Sequence, residues 1–317
     1  METRAIGSLD VSLVGLGCNN FGMRCDEERS AAVVHAALDC GITFFDTADV
    51  YGGTKSEEFL GRALAGARDR VVIATKFSAP LGDDPAHGGA SARWIREAVE
   101  GSLGRLGTDR IDLYQQHGPD DAVAIEETQE ALDDLVRAGK VRELGNSNFS
   151  AEKIDAANSL SARRGWARFV SAQNQFSLLE RRPLRKVIPA CERNGMSFLP
   201  YFPLASGLLT GKYRRDQAPP EGTRLATLPE DRASRVLSER NFDLVEALTV
   251  FAADRDHTIL ELAFAWLAVQ PAMGSIIAGA TSPDQVRTNA AAADWKLSGE
   301  DLAVIDAILS SADAGAG

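Results

Sequence analysis

Residues 71–115 read VVIATKFSAPLGDDPAHGGASARWIREAVEGSLGRLGTDRIDLYQ, and this stretch decides the fold. It begins with the apolar run VVIAT at 71–75 and ends with IDLYQ at 111–115, a second short stretch that is predicted as a strand. Between them, apolar residues from Ile95 to Leu106 recur at helical spacing, and Ser91 is placed to cap that helix. A short apolar strand, a helix and another short apolar strand make a β-α-β unit, which is typical of a parallel sheet covered on both faces.

The same alternation continues along nearly the whole chain. Eight strands are expected at 12–16, 43–45, 71–75, 111–115, 141–145, 169–173, 197–201 and 275–278. Helical spacing recurs between them, for example at Leu244, Leu248 and Phe251. No change of composition separates the units. The sequence therefore predicts an α/β fold, a (β/α)8 TIM barrel, in one domain over residues 1–317.

Three additions to the barrel are expected. Residues 5–6 and 9–11, around Gly7 and Ser8, predict an N-terminal hairpin that caps the barrel. The segment 204–240 follows the seventh strand and is rich in Pro, Gly and Arg, as functional loops often are. Leu302, Ile305 and Leu309 predict a C-terminal helix.

Composition restricts the possible functions. The chain has 317 residues, 34 Lys and Arg against 45 Asp and Glu, a formal net charge of −11 and 44% hydrophobic residues. These are the proportions of a globular protein, and they argue against disordered, collagen-like and disulfide-rich chains. Because nucleic acids and anionic membranes bind clustered Lys and Arg, we expect neither as a partner.

The four cysteines, Cys18, Cys25, Cys40 and Cys191, lack the paired spacing of a zinc site, so free thiols and no metal are expected. The N-terminus has no signal-peptide pattern, and no apolar stretch reaches the length of a membrane span. A cytoplasmic protein is therefore expected, and the sequence leaves monomer and homo-oligomer open.

Chemically reactive side chains follow three consecutive predicted strands. Asp46 and Tyr51 come after the second strand, Lys76 after the third and His117 after the fourth. Taken singly, Asp46 could be a turn or helix-cap residue, Lys76 a surface lysine and His117 a structural histidine. Barrel enzymes build their sites at the carboxyl ends of the strands, so the four together favour an active site.

The four residue types have a chemical logic as a set. A tyrosine phenol titrates near pH 10, and a lysine ammonium about 4 Å away at an effective dielectric near 20 contributes roughly 4 kcal/mol, or about three pKa units. We therefore expect Lys76, kept charged by Asp46, to lower the pKa of Tyr51 toward neutrality. A neutral His117 would then orient the substrate oxygen.

Two other patterns are rejected. The sequence GLGCNN at 15–20 has Asn20 where a dinucleotide-binding GxGxxG needs its third glycine. Tyr51 and Lys55 have the YxxxK spacing of short-chain dehydrogenases, but Gly52 and Gly53 disfavour the required helix by about 1 kcal/mol each.

The chain resembles the aldo-keto reductases in motif order over almost its whole length. The stretches that carry the resemblance are FFDTADVYG (44–52), ATK (74–76), YQQH (114–117), GNSNF (145–149), QNQFSLL (173–179), PLASGLLTGKY (203–213) and SPDQV (282–286). The resemblance implies an enzyme, an NAD(P)H-dependent reductase of aldehydes or ketones. It also implies that Tyr51 donates the proton, Lys76 and Asp46 tune it, and His117 orients the carbonyl.

The resemblance also implies a set of cofactor-binding residues. Ser147, Asn148 and Gln173 correspond to positions that bind the nicotinamide carboxamide, and Tyr201 to the aromatic ring that stacks on nicotinamide. The remaining positions are Gly17, Cys18 and Asn19 after the first strand, Leu204, Gly207, Leu208 and Lys212 near the pyrophosphate, Gly279, Thr281 and Gln285 after the eighth strand, and Asn289 near adenine.

The choice of cofactor depends on where the sequence departs from the family. Gly279 and Gln285 stand where the best-known members carry a Lys and an Arg that hold the 2′-phosphate of NADPH. Neutral donors can replace those cations, so NADPH is expected, with NADH as the alternative. Lys212, Arg214 and Arg215 are expected to give local positive charge for phosphates.

Two further functions stay open as alternatives. One is a nicotinamide-binding regulatory subunit of a channel-like complex with only slow redox turnover. The other is a barrel lyase with Lys76 as Schiff-base nucleophile, which needs a neutral lysine and is disfavoured by Asp46. The substrate, whether an aldehyde, a ketone or a sugar, is expected to be selected by the loops together with residues such as Met23, Phe77 and Trp94. Phe77 and Trp94 could equally be packing residues.

Overall fold

The computed structural model describes residues 1–84 and 86–314, and eight parallel strands in them close into a barrel. With the N-terminal hairpin strands counted first, the barrel strands are β3 (Val14–Gly17), β4 (Phe44–Asp46), β5 (Val72–Phe77), β6 (Ile111–Gln116), β7 (Val141–Ser147), β8 (Phe169–Gln175), β9 (Ser197–Tyr201) and β10 (Ile276–Gly279). Each pairs in parallel with the next, and β10 pairs with β3. The predicted (β/α)8 barrel is confirmed.

The N-terminal hairpin closes one end of the barrel. Strands β1 (Thr3–Ile6) and β2 (Leu9–Ser12) pair antiparallel, as expected. Ile6, Leu9 and Val11 are buried among strand side chains such as Phe44 and Val72, which begin β4 and β5. The hairpin therefore covers the amino ends of the strands and leaves the carboxyl ends free for a binding site.

Helices surround the barrel, and the connection between β9 and β10 contains three of them. They are α1 (Glu27–Asp39), α2 (Lys55–Ala63), α3 (Ala92–Leu106), α4 (Ile125–Arg137), α5 (Ala151–Arg164), α6 (Val187–Arg193), α7 (Glu230–Val236), α8 (Glu239–Ala253), α9 (Ile259–Ala268), α10 (Pro283–Ala291) and α11 (Gly299–Ala314). Ser91 caps α3 by accepting a hydrogen bond from the Trp94 N–H, as predicted. Helix α11 confirms the C-terminal helix.

Strand boundaries differ from the expected ones in a consistent way. Most barrel strands end one or two residues later than expected, so Asp46, Lys76 and Ser147 lie inside strands. Backbone pairing with a neighbouring strand holds these residues in register whatever their polarity. At the start, Ser12 belongs to the hairpin and the barrel strand begins at Val14, because Ser12 bonds Thr43 at the corner between the two.

The segment 204–240 is more ordered than a plain loop. It contains 3-10 turns at Ala205–Thr210 and Leu225–Thr227, all of α7 and the first residues of α8. Arg215 ties it to α8 through Glu239, Asp243 (2.6 Å) and Glu246 (3.2 Å). The segment is therefore anchored at Arg215, and the stretches 204–212 and 221–224 on either side of Arg215 reach the mouth of the barrel.

Several features concern the whole described chain. The four cysteines are free thiols. Over residues 1–84 and 86–314, no helix is long and apolar enough to cross a membrane. Within the same ranges, no group of three or more His, Cys, Asp or Glu side chains could hold a metal ion.

Candidate active site

A cavity of about 850 Å³ opens at the carboxyl ends of the strands, within the usual size range of ligand sites. Most of the predicted site residues line it. They are Gly17, Asn19, Asp46, Tyr51, His117, Ser147, Asn148, Gln173, Tyr201, Leu204, Gly207, Lys212, Gly279, Thr281, Gln285 and Asn289. Lys76 lies directly beneath the lining, fully buried.

Tyr51, Lys76 and Asp46 form one chain of contacts. The Lys76 ammonium donates to Asp46 Oδ2 at 2.6 Å and to the Thr47 carbonyl at 2.9 Å, and its Nζ lies 3.4 Å from the Tyr51 hydroxyl. Asp46 is the last residue of β4 and Lys76 the second-last residue of the neighbouring strand β5, so the barrel itself fixes their separation. The predicted grouping of these three side chains is therefore what the structure shows.

A tight turn after β4 brings Tyr51 back over this pair. The Tyr51 N–H donates to the Ala48 carbonyl, and Gly52 follows in the left-handed region at φ 59°. A Cβ on Gly52 would lie 2.3 Å from the Phe21 carbonyl, so the turn packs directly on the loop after β3. Only glycine fits there, and this explains why a glycine follows the tyrosine.

The charge on Lys76 is stabilised despite its burial. Burial alone would lower the pKa of Lys76, but the carboxylate of Asp46 and the Tyr51 phenol outweigh that effect and raise it above its ordinary value. A permanently charged lysine is a poor Schiff-base nucleophile, which disfavours the lyase alternative.

The expected effect on Tyr51 is wrong in direction. Burial, the largest influence, raises the pKa of Tyr51, and the opposing charge of Lys76 does not overcome it. The spacing of the residues indicates the attraction between Lys76 and a phenolate, but it does not indicate the larger cost of burying that phenolate. Tyr51 therefore keeps its proton at neutral pH, as a proton donor must.

His117 is held neutral next to this group. Burial, helped by the charge of Lys76, lowers the pKa of His117 to about 3. Its ring meets the Tyr51 ring edge-on at 5.7 Å, and its Nδ1 is buried without a hydrogen-bond partner in the described chain. The neutral imidazole expected from the sequence is therefore present at the cavity wall.

Hydrogen-bonding side chains from β7, β8 and β9 converge beside Tyr51. Ser147 Oγ donates to the Gln173 carbonyl, and the Asn148 amide donates to the carbonyl of His117 at 3.0 Å. The Tyr201 hydroxyl donates to Asn148 Oδ1 at 2.8 Å. The structure thus brings together the four residues that the resemblance assigned to the nicotinamide group.

Beneath them lies a contact that the sequence reasoning missed. Asp46 Oδ1 accepts hydrogen bonds from the amides of Gln115 (3.0 Å) and Gln173 (2.9 Å), and all three side chains are buried inside the barrel. The signal was available, because alternate residues of a strand share a face and Gln115 is two residues beyond the inward-facing Leu113.

Three cations also line the cavity, and only Lys212 was expected. Arg24 donates to the Gly222 carbonyl at 2.6 Å, which joins the two lips of the mouth, and the guanidinium of Arg224 lies 4.5 Å from the Phe202 ring centre. Burial and the charge of Arg24 lower the pKa of both Lys212 and Arg224. None of the three cations forms a salt bridge with any described carboxylate.

Other expectations about the phosphate region need correction. Arg215 does not supply free positive charge, because three acids of α8 surround it, and Arg214 does not line the cavity. Cys18 and Leu208 are also absent from the lining, since both side chains are fully buried in the core. Cys18 Sγ instead contacts the Leu16 carbonyl.

Two proposed specificity residues are packing residues. Phe77 is fully buried and stacks on Tyr114 at 4.8 Å, and Trp94 is buried on α3. Met23 is exposed but does not line the cavity. Phe202 and the stretch 221–224 take their place at the mouth.

The loop after β10 presents a paired Thr281 and Gln285. The backbone N–H and hydroxyl of Thr281 both donate to Gln285 Oε1, which leaves the Gln285 amide nitrogen as a donor. Arg29 of α1 donates to the Thr281 carbonyl and places a cation behind this loop. Asn289, one helical turn further along α10, is buried at the cavity edge.

The donor set fits a nicotinamide dinucleotide. The cavity offers amide and hydroxyl groups suited to a carboxamide, and three cations that have no salt bridge within the described residues and are suited to phosphates. Backbone approaches closely at Gly207, where φ is 94° and a Cβ would crowd the Lys212 side chain at 3.0 Å. The residues present thus match both the uncharged and the anionic ends of such a cofactor.

Comparisons with known proteins agree with this geometry. Residues 13–310 match the family model described as "Aldo/keto reductase family". The "Aldo-keto reductase YhdN" of Bacillus subtilis (strain 168) is 36% identical over 95% of this chain and 91% of its own length. The "Versiconal hemiacetal acetate reductase" of Aspergillus parasiticus is 32% identical over 96% of both chains.

A third relative carries a different kind of name. The "Probable voltage-gated potassium channel subunit beta" of Oryza sativa subsp. japonica is 32% identical over 86% of this chain and 84% of its own length. The family match nevertheless covers nearly the whole chain and includes the strands that form the cavity. This protein therefore belongs to the aldo/keto reductase family, whose members are oxidoreductases that use nicotinamide cofactors.

Proposed function

We propose that this chain, acting as one domain, reduces a small aldehyde or ketone to an alcohol with NADPH as cofactor. One observation carries the proposal: the Tyr51 hydroxyl lies 3.4 Å from the Nζ of buried Lys76 at the floor of a cavity suited to a dinucleotide. A cytoplasmic location stays a prediction from the sequence.

The residues of the chain divide the chemistry among them. When bound, reduced nicotinamide supplies the hydride to the carbonyl carbon. Tyr51 gives its phenolic proton to the carbonyl oxygen as negative charge develops there, and Lys76 stabilises the phenolate that remains. Neutral His117 offers one ring N–H to orient the same oxygen.

Two groups of lining residues divide the binding of the cofactor between them. Ser147, Asn148 and Gln173 would hold the carboxamide, and Tyr201 would face the ring. Arg24, Lys212 and Arg224 would hold the pyrophosphate, since they are the unpaired cations of the lining. Gly17, Asn19, Leu204 and Gly207 would contact the cofactor by close approach of the chain.

The choice of NADPH rests on the loop after β10. The free donor of Gln285, the Thr281 hydroxyl and the nearby Arg29 favour an additional phosphate on the adenosine ribose. Asn289 would contact adenine. Replacing Arg29 with Ala should reduce the affinity for NADPH more than that for NADH, and an equal loss for both would argue against this part of the proposal.

The test of the function is a spectrophotometric assay. Purified protein is mixed with NADPH and a panel of aldehydes and ketones, and the loss of nicotinamide absorbance is followed. Carbonyl-dependent oxidation by the wild type, and its loss in Tyr51→Phe, supports the proposal. No oxidation with any member of the panel counts against it.

The resemblance to the rice channel subunit supports a second candidate. In that case the chain would bind NADPH tightly and act as a regulatory subunit with slow turnover. Absorbance of bound nicotinamide in the protein as purified, very slow reduction of every carbonyl and a stable membrane partner in pull-downs would favour it. Rapid release of cofactor with fast turnover would reject it.

A further inference from the structure

We infer that Gln115 is a positioning residue: it fixes the amide of Gln173 so that its carbonyl oxygen is offered to the cavity, where it selects a carboxamide over other ring substituents. This inference rests on the proposed binding of a nicotinamide cofactor. Gln115 itself does not line the cavity, and nothing in the aldo-keto resemblance assigned it a role.

The orientation of both amides follows from the chemistry of Asp46. Its Oδ2 is 2.6 Å from the Lys76 ammonium, so the carboxylate is ionised and both of its oxygens can only accept hydrogen bonds. Oδ1 has the amide of Gln115 at 3.0 Å and that of Gln173 at 2.9 Å. Both glutamines must therefore turn their NH₂ groups toward Asp46.

Gln115 then uses the second proton of Gln173. Its Oε1 accepts a hydrogen bond from Gln173 Nε2 at 3.2 Å, in addition to the bond from that nitrogen to Asp46. Both N–H groups of Gln173 are thereby bound inside the barrel. The atom that Gln173 can still offer to a ligand is Oε1, an acceptor.

This arrangement has a consequence for recognition. An acceptor binds the NH₂ of a carboxamide and gains no hydrogen bond from an acetyl group of similar shape. Because Gln115 and Gln173 are only 0% and 2% exposed, water does not compete for these contacts. Without Gln115, one N–H of Gln173 loses its internal partner and the amide is held by Asp46 alone, so the preference for the carboxamide should weaken.

The test compares two oxidised cofactors by their dissociation constants. NADP⁺ and its 3-acetylpyridine analogue are titrated into the protein by calorimetry, a measurement that needs no turnover. Since one hydrogen bond is worth about three- to tenfold in affinity, the wild type should bind NADP⁺ about fivefold or more tightly than the analogue. In Gln115→Met the ratio should fall to about two or less.

Matched variants separate positioning from general damage. Gln129→Met removes another buried glutamine, on α4 and outside the barrel, where its partner is Ser161. It should keep the wild-type ratio. Gln173→Met should lose the ratio as Gln115→Met does, and the double variant should lose no more than either alone.

If Gln115→Met folds poorly, Gln115→Glu serves as a second variant, because glutamate has the same shape as glutamine. Its carboxyl next to Asp46 should stay protonated at pH 6, donate to Asp46 and still accept from Gln173, so most of the ratio should return. An unchanged ratio in Gln115→Met, or no preference in the wild type, overturns the inference while leaving cofactor binding intact. Failure to bind either cofactor overturns the proposed function itself.

Discussion

Two polar clusters lie on either side of β5, and they treat a buried carboxylate in opposite ways. The inner cluster, inside the barrel, consists of Asp46, Lys76, Gln115 and Gln173, and every oxygen of Asp46 has a donor. The outer cluster lies between the barrel and α2 and α3. It contains Asp49, Glu57, Thr75, Arg105 and Tyr114.

The outer cluster is only partly satisfied. Glu57 accepts from Thr75 and from Arg105 (2.7 Å), whereas neither oxygen of Asp49 has a hydrogen-bond partner of regular geometry among the described residues. Burial, followed by the charge of Glu57, raises the pKa of Asp49 to about 7. Asp46 and Asp49 are thus only three residues apart in one turn, but the carboxylate of Asp46 is fully hydrogen-bonded and placed for chemistry, whereas the carboxyl group of Asp49 destabilises the folded protein.

Removing the phenol from the inner cluster should have the largest effect. Tyr51→Phe should lower the reductase kcat by about 10²- to 10⁴-fold, because the proton donor is lost while the shape is kept. The dissociation constant of NADPH should stay within about threefold. Steady-state kinetics and fluorescence titration measure the two quantities, and a variant with the wild-type rate would show that another group supplies the proton.

Removing the cation should test how strongly the inner cluster depends on pairing. Lys76→Met leaves Asp46 buried without its counter-charge, so the free energy of unfolding should fall by about 3 to 5 kcal/mol. Urea denaturation measures the change. Lys55→Met, at an exposed lysine, is the control and should change stability by less than about 0.5 kcal/mol. A Lys76 variant as stable as this control would mean that Asp46 does not need the ion pair.

The outer cluster should respond in the opposite sense. Folding raises the pKa of the Asp49 carboxyl group. The free energy of unfolding of the protein therefore falls as the pH rises from near 4, the pKa of this group in the unfolded chain, to about 7, and the loss is complete above that pH. Asp49→Asn removes this cost. Its gain in unfolding free energy should be about 2 kcal/mol greater at pH 8 than at pH 5.

Urea unfolding at the two pH values measures this gain, and Asp10→Asn, at an exposed aspartate, should show no such pH dependence. A gain of equal size at both pH values would mean that Asp49 is ionised in the folded protein throughout.

The smallest effect concerns His117. Since its pKa is lowered to about 3, the imidazole should stay neutral from pH 5 to pH 8. The reductase kcat/KM should therefore show no ionisation near pH 6.5. A clear titration at that pH, absent from His117→Asn, would place a normal histidine in the cavity.

Much of the fold and of the inner cluster could be predicted from the sequence. Apolar strands and amphipathic helices alternate with a clear period, and the carboxyl ends of parallel strands converge, so Asp46, Lys76 and His117 could be placed together. Strand boundaries were less predictable, because polar residues such as Ser147 continue the backbone pairing of their neighbours.

Contacts between distant segments could not be predicted. Arg24 and Arg224 line the cavity because of the course of their loops, which depends on packing. Arg215 forms salt bridges with acidic residues of α8 instead. The pKa of Tyr51 was misjudged because burial cannot be calculated from spacing. Asp49 could not be singled out from the sequence, because only the structure shows that it is buried without a hydrogen-bond partner of regular geometry in the described part of the chain.

The central claim is that this chain moves a hydride from nicotinamide to a carbonyl carbon, with Tyr51 as the proton source. The most direct measurement uses NADPH with deuterium at both C4 positions and an aldehyde accepted by the wild type, with the product analysed by mass spectrometry. The account predicts an alcohol with one deuterium on the carbinol carbon, and almost none formed by Tyr51→Phe. An unlabelled alcohol, or equal amounts of product from both proteins, would contradict it.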